Sequence, residues 1–391
     1  MLMNRLRAAA KLQFFLTFTF SIFFIIISST SKLEAKSARK KSWPYRSALL
    51  IEADTGQVLK SFQPRNQVIP ASLVKMMTLL ITLEQIKAKS VSFKDIVTTS
   101  RKASKIGGQQ VYLRQGERFP LVDLLKAVAI SSANDAAYAV SEHIADDTEI
   151  FVEMMNTRAK QLGMTDTSYV NVHGLPPGRR LPPNITSARD MAIIARELLK
   201  YPITKQWGTT KHTPFRDGKF ILTNTNRLVG KFRGLDGIKT GSYRKAGYSI
   251  VATAKRGDLR LIAVVMSSSH PRRRFKEASR LLAWGFGNYS WYKGMEPGSD
   301  HAFSVKVING QKDEIHLKSM QKFRKLVKRG EAGPISVRKE IPASIPAPIH
   351  EGQKVGRLIY ELEGKKMGEV QLAATESVDR LSLLQTIFRL Q

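Results

Sequence analysis

Two runs of alternating apolar and polar residues, "SALLIEADTGQVLKSF" from Ser47 and "AGYSIVATAKRGDLRLIAVVMSS" at 246–268, bracket a long interval of helical patterning. A turn signal splits each run, Asp54-Thr55-Gly56 in the first and Arg256-Gly257-Asp258 in the second, so each reads as two strands. Between them Leu73, Met76, Met77, Leu80 and Leu83 fall on one helical stripe within 72–88. Further helices are predicted at 121–130, 134–145 and 187–200, the last with Thr186 or Ser187 as cap and Asp190 in its first turn. A helix at 274–286 closes this part. Strands at both ends with helices between confine the chain to a mixed α and β fold.

Past 294–298 ("GMEPG") the texture changes. "HAFSVKVINGQKDEIHL" sets two alternating runs about Asn309-Gly310, and the prolines of "IPASIPAPIH" do not suit helix. Residues 297–375 therefore read as a separate small all-β domain. In 376–391, Val378, Leu381, Leu384, Ile387 and Phe388 share one helical face. That segment is either an amphipathic helix lying at a membrane interface or a terminal helix packed on the β domain.

The N-terminus carries Arg5, Arg7 and Lys11, then an uncharged 16-residue run at 12–27, then small residues at Ser29, Ser31 and Ala35. This is the pattern of a secretory signal over 1–35, with an uncleaved anchor as the alternative. A basic linker follows at 36–46. Lysine and arginine outnumber acids 63 to 32, for a net charge of +31, which predicts attraction to polyanions. Export argues against nucleic acid and leaves an anionic envelope or membrane surface. With no cysteine there is no thiol nucleophile and no zinc–thiolate site. The seven histidines are scattered without paired spacing, so no metal and no cofactor is expected, and His173 reads as a structural loop residue.

Three polar groups stand out. In "IPASLVKMMT", Ser72 and Lys75 lie three apart on an apolar helical stretch, which brings the amine to the hydroxyl. Desolvation there favours the neutral amine, a base able to activate the serine. Pro70 suits a helix start, where free amides favour developing negative charge. The same spacing recurs at Ser242–Lys245, Ser290–Lys293, Ser319–Lys322 and Ser336–Lys339, so spacing alone is weak. "ISSANDAA" offers Ser132 and Asn134 between two helices, either aimed into a cleft or capping the second helix. "LDGIKTGSY" offers Lys239 and Thr240 to a carboxylate, and Gly241 as room for a substrate backbone, or else an ordinary basic edge strand.

Ser-x-x-Lys, Ser-x-Asn and Lys-Thr-Gly, in that order, resemble the signature of penicillin-binding proteins and related β-lactamases. "PASLVKMMT", "GERFPLVDLLKAVAISSANDAAYAVSEHIA", "HGLP", "TSARDMAIIAREL" and "LDGIKTGSYRKAGYSIVATAKRGDLRLIAVV" more narrowly resemble the D-alanyl-D-alanine carboxypeptidases, the low-molecular-mass penicillin-binding proteins. The resemblance covers about 45–290, and more weakly the β domain through "GQKVGRLIYELEGKKMGEVQL".

It implies an α+β fold: a serine transferase domain of the penicillin-binding and β-lactamase type over 47–293, with an antiparallel sheet, flanking helices and a helical subdomain. The small all-β domain then follows. It implies an exported enzyme, in the periplasm or on the outer face of the cytoplasmic membrane, that removes the terminal D-alanine of peptidoglycan stem peptides. β-Lactams would be covalent inhibitors. Ser72 would be the nucleophile, Lys75 its base and Ser132 a proton relay, with Asn134 positioning Lys75 or the substrate. Lys239 and Thr240 would hold the carboxylate, helped by Arg274, and the amides of Ser72 and Ser242 would form the oxyanion hole. Relatives often carry histidine or tyrosine where Ser242 stands, and proline where Ser131 stands. No carboxylate motif of the "ExxLN" kind separates the second and third groups, which counts against an efficient β-lactamase. A non-catalytic envelope-binding protein is the reading from a different class.

Overall fold

The computed structural model describes residues 43–176, 178, 181–298, 303–330, 335–382 and 385. The predicted signal at 1–35 and the linker before residue 43 lie outside them. From Tyr45 onward the chain is one compact unit. The linker, expected through residue 46, ends two residues sooner. Tyr45 is buried against Phe62 at 5.8 Å, and the Arg46 amide donates to the Met266 carbonyl at 3.1 Å.

Five strands form the central antiparallel sheet: β1 (Ser47–Glu52), β2 (Val58–Phe62), β3 (Leu235–Tyr243), β4 (Gly247–Arg256) and β5 (Leu259–Ser268). Their order is β2-β1-β5-β4-β3, which closes the first hairpin onto the last and leaves β3 at an edge. β1 is buried along its whole length. Its period of two serves two cores: Leu49 and Ile51 join the helical side, Ala48 and Leu50 the opposite side.

The helical side holds α1 (Lys75–Lys87), α2 (Leu121–Lys126), α3 (Asn134–Ala145), α4 (Thr148–Gln161), α5 (Ala188–Leu199) and α6 (Pro202–Thr209), and α7 (Pro271–Asn288) covers the other face. The stretch predicted helical at 72–88 begins as a tight 3₁₀ turn, Ala71–Val74, before α1. The one at 121–130 widens after α2 into a π turn, Ala127–Ser131. Ser187 caps α5, its hydroxyl accepting from the Asp190 amide at 3.2 Å.

Strands Ser304–Ile308 and Glu314–Ser319 pair about Asn309-Gly310, within a six-stranded sheet whose core includes Val305, Leu317, Leu358 and Leu372. Two features depart from expectation. Arg324–Lys328 pairs with Tyr289–Lys293, and Leu326 is buried in the core of the first part, so this stretch does not belong to a wholly separate domain. In 376–382, where a helix was expected, the chain is extended. Val378 exchanges two 2.9 Å backbone hydrogen bonds with Ile349, and its buried side chain favours the sheet over solvent. The rest of that segment, apart from Gln385, lies outside the described residues.

Candidate active site

Ser72 sits in the 3₁₀ turn directly after Ala71, whose φ of 50° is a strained left-handed conformation for alanine. Lys75, one turn on, is fully buried. Its Nζ lies 3.2 Å from Ser72 Oγ, 2.6 Å from Asn134 Oδ1 and 2.7 Å from the His173 carbonyl. Two of these partners are carbonyl oxygens, which only accept. A neutral amine here would give its two N–H groups to those carbonyls and turn its lone pair to the one partner that can donate, the Ser72 hydroxyl. Burial, and next the charge of Lys239, hold the Lys75 amine well below the usual lysine range. Asp135 acts in the opposite sense.

The π turn ends at Ser132, which takes a left-handed φ of 66°. Its hydroxyl is buried and has no hydrogen-bond partner among the described residues. Such a hydroxyl is available to an incoming group. Neither Ser132 nor Asn134 caps α3. Asn134 instead spends both ends of its amide, accepting from Lys75 and donating to the Gly107 carbonyl at 2.7 Å.

On the facing wall, Lys239 and Thr240 are buried in edge strand β3. Among the described residues Lys239 Nζ reaches one acceptor, the Thr240 carbonyl at 3.3 Å. Burial, then the nearby Arg274 charge, lowers the Lys239 amine to about 7. Thr240 donates to the Thr225 hydroxyl at 2.8 Å. Gly241 does not open room for a substrate, as the sequence suggested. A Cβ there would lie 2.5 Å from the Pro70 carbonyl oxygen and 3.1 Å from the Ser72 amide nitrogen. Its missing side chain lets β3 close directly onto the turn of Ser72. Arg274 also differs from expectation, because its Nη1 donates to the carbonyls of Gly241 and Ser249 at 3.2 and 3.3 Å. It braces the strand, stacked on Phe275 at 4.7 Å, and its charge acts on Lys239. Ser242 is exposed at the cleft.

The structure therefore brings Ser72 and Asn134 each into contact with Lys75 and packs the strand of Lys239, Thr240 and Gly241 against the turn of Ser72. Three contributors escaped the sequence. The His173 carbonyl holds Lys75. The fully buried Asp135 carboxylate accepts from the amides of Val111 and Leu113 at 3.0–3.2 Å, fixing the loop over Asn134. Thr225 meets Thr240. Burial and the Lys75 charge push the His173 ring down to about 4, so it is neutral near pH 7.

A family model described as D-alanyl-D-alanine carboxypeptidase matches residues 34–270, and one described as penicillin-binding protein 5, C-terminal domain, matches residues 298–380. The D-alanyl-D-alanine carboxypeptidase DacF of Bacillus subtilis (strain 168) is 37% identical over 367 residues, 93% of this chain and 93% of that protein. DacC of Escherichia coli (strain K12) is 31% identical over 92% of this chain and 90% of its own. The crystal structure of penicillin binding protein 5 from Haemophilus influenzae aligns with a TM-score of 0.70 at 30% identity, over 87% of this chain and 98% of that one.

Proposed function

The chain belongs to the D-alanyl-D-alanine carboxypeptidase family and is a serine-type penicillin-binding peptidase acting on peptidoglycan stem peptides, and from that premise we propose the role of each residue at its site. Ser72 Oγ attacks the carbonyl carbon of the penultimate D-alanine while Lys75 takes the hydroxyl proton. Negative charge on the carbonyl oxygen is met by the amides of Ser72 and Ser242, each donor contributing roughly 3–4 kcal/mol. The proton returns through Ser132 to the departing nitrogen, the C–N bond breaks and D-alanine leaves. Water, deprotonated by Lys75, then cleaves the ester and restores Ser72. A β-lactam acylates the same oxygen.

Lys239 and Thr240 hold the terminal carboxylate. An anion beside Lys239 favours its charged form, so binding substrate protonates a group that is near half-charged at neutral pH when free. Asn134 keeps Lys75 turned toward Ser72, and Arg274 supports the carboxylate wall from behind. The segment at 1–35 exports the chain, which works outside the cytoplasmic membrane as two parts, 47–293 and 297–375. An anionic envelope surface attracts it.

The observation that carries this reading is the Lys75 environment: a fully buried amine whose two carbonyl partners leave only Ser72 to receive its lone pair. Mass spectrometry of the protein mixed with penicillin tests it. The expected result is one adduct on the peptide carrying Ser72, absent from Ser72→Ala, which also releases no D-alanine from a pentapeptide. An adduct on another residue, or D-alanine release by Ser72→Ala, would overturn it.

A further inference from the structure

Positive charge gathers on one side of the catalytic part. The loop at 224–234 carries Arg227, Lys231 and Arg233, all exposed, and no acid. The β3–β4 turn adds exposed Arg244 and Lys245, again without an acid. The outer face of α7 adds Arg272, Arg273, Lys276 and Arg280. Its single acid, Glu277, is mostly buried, its side chain 12% exposed, and it faces Arg280 at 3.6 Å.

These segments adjoin one another. Leu228 and Val229 of the loop pack in the same core as Phe275 and Ala278 of α7. A Cβ at Gly247, the first residue of β4 after that turn, would lie 3.0 Å from the Ser268 carbonyl oxygen, just before α7 begins. The Arg227 charge is felt at Arg274, which bonds the Gly241 carbonyl at the cleft wall. The basic surface thus starts beside Ser242 and continues along α7. Among the described residues no exposed large apolar side chain lies within these three segments. A membrane-docking face would pair such charge with side chains that enter the lipid, so the partner it fits is a soluble strand of charge.

We propose that this surface binds a linear polyanion, a chain of phosphodiester or carboxylate groups laid along α7 and ending at the active-site cleft. The inference rests on the proposed site only for where the cleft lies, and binding is read without acylation.

The test titrates the full chain with fluorescent inorganic polyphosphate at about 0.1 M salt, where unpaired surface charges still act over roughly 10 Å. Lys231→Glu, Arg273→Glu and Lys276→Glu are combined in one variant, and Lys325→Glu, Lys354→Glu and Lys365→Glu in another with the same charge change. The first should lose affinity by at least about tenfold and flatten the salt dependence by about three counterions. The second should lose less than about threefold, and both should acylate with penicillin at the unaltered rate. Equal loss in the two variants would assign the binding to overall charge and overturn the proposal. So would vesicles with anionic lipid that bind the chain while polyphosphate neither binds nor displaces them. Absence of penicillin labelling in the unaltered chain would instead count against Ser72 and leave the binding result standing.

Discussion

Lys75 and Lys239 are both buried lysines, yet their surroundings differ. Two carbonyl oxygens and a hydroxyl surround the first, whereas among the described residues the second reaches one carbonyl at 3.3 Å. Lys239 is therefore held at a cost to the fold, which substrate binding offsets in the role proposed for it. Its amine titrates at about 7 when folded and near the ordinary lysine value when unfolded. Between those values the unfolded chain binds the proton that the folded one lacks, so stability rises with pH across that window, and the full penalty applies below pH 7. Lys239→Met should thus stabilise the protein by about 1–4 kcal/mol at pH 6, with the gain shrinking toward pH 10. Penicillin acylation should fall at least about tenfold through loss of the charged hydrogen bond. Chemical denaturation at several pH values checks the first effect and labelling kinetics the second. A destabilised variant, or a gain that ignores pH, would remove Lys239 from this role. At this scale the sequence was informative for Ser72, Lys75 and Asn134, whose partners lie in recognisable motifs. It was silent on Asp135 and Thr225, because their partners are backbone amides and a hydroxyl that only the folded chain brings near.

Among elements, the decisive contact is edge strand β3 against the 3₁₀ turn of Ser72. Periodicity points to the first, since Leu73, Met76, Met77 and Leu80 repeat at helical spacing, and Lys239-Thr240-Gly241 reads as a short edge strand. It could not show that Gly241 serves their approach, because neither stretch contains the other's position. It also passed over α4, which buries only Phe151, Met155 and Ala159 and so shows a thin apolar stripe. The π turn at Ala127–Ser131 reads in the sequence as plain helix as far as residue 130, since one extra residue in a turn leaves the apolar pattern nearly intact. Gly241→Ala tests the contact. A Cβ 2.5 Å from the Pro70 oxygen must push β3 away from the turn, at a cost of about 1–3 kcal/mol. Displacing Lys239 and Ser242 from Ser72 by even an ångström should slow acylation by about 10²-fold. Stopped-flow labelling beside a thermal melt separates the effects. Unchanged labelling would mean that the close approach does not set the site.

For the molecule as a whole, the α+β class and the β-rich C-terminal region were legible, because turn signals and alternation are local. The junction was not. β1 completes its sheet with β5, and Arg324–Lys328 returns to pair with Tyr289–Lys293, and neither pairing leaves a mark in nearby residues. That return has a mechanical consequence. Leu326 is 6% exposed and lies in the core that also holds Leu50, Phe275 and Phe286. Arg324 stacks on Trp291 at 4.4 Å and pairs with Asp54, in the β1–β2 turn, at 2.8 Å. The later segment thus supplies part of the earlier core, and the two parts should unfold together. Leu326→Ala removes buried methyl groups and should destabilise by about 2–4 kcal/mol. In calorimetry the loss should appear as a downward shift of a single transition, with penicillin labelling of the folded protein at 25 °C unchanged within about twofold, because Leu326 is on the face of the sheet away from Ser72. A melt that splits into two transitions, only the later-sequence one moving, would show that the strand belongs energetically to the β region alone.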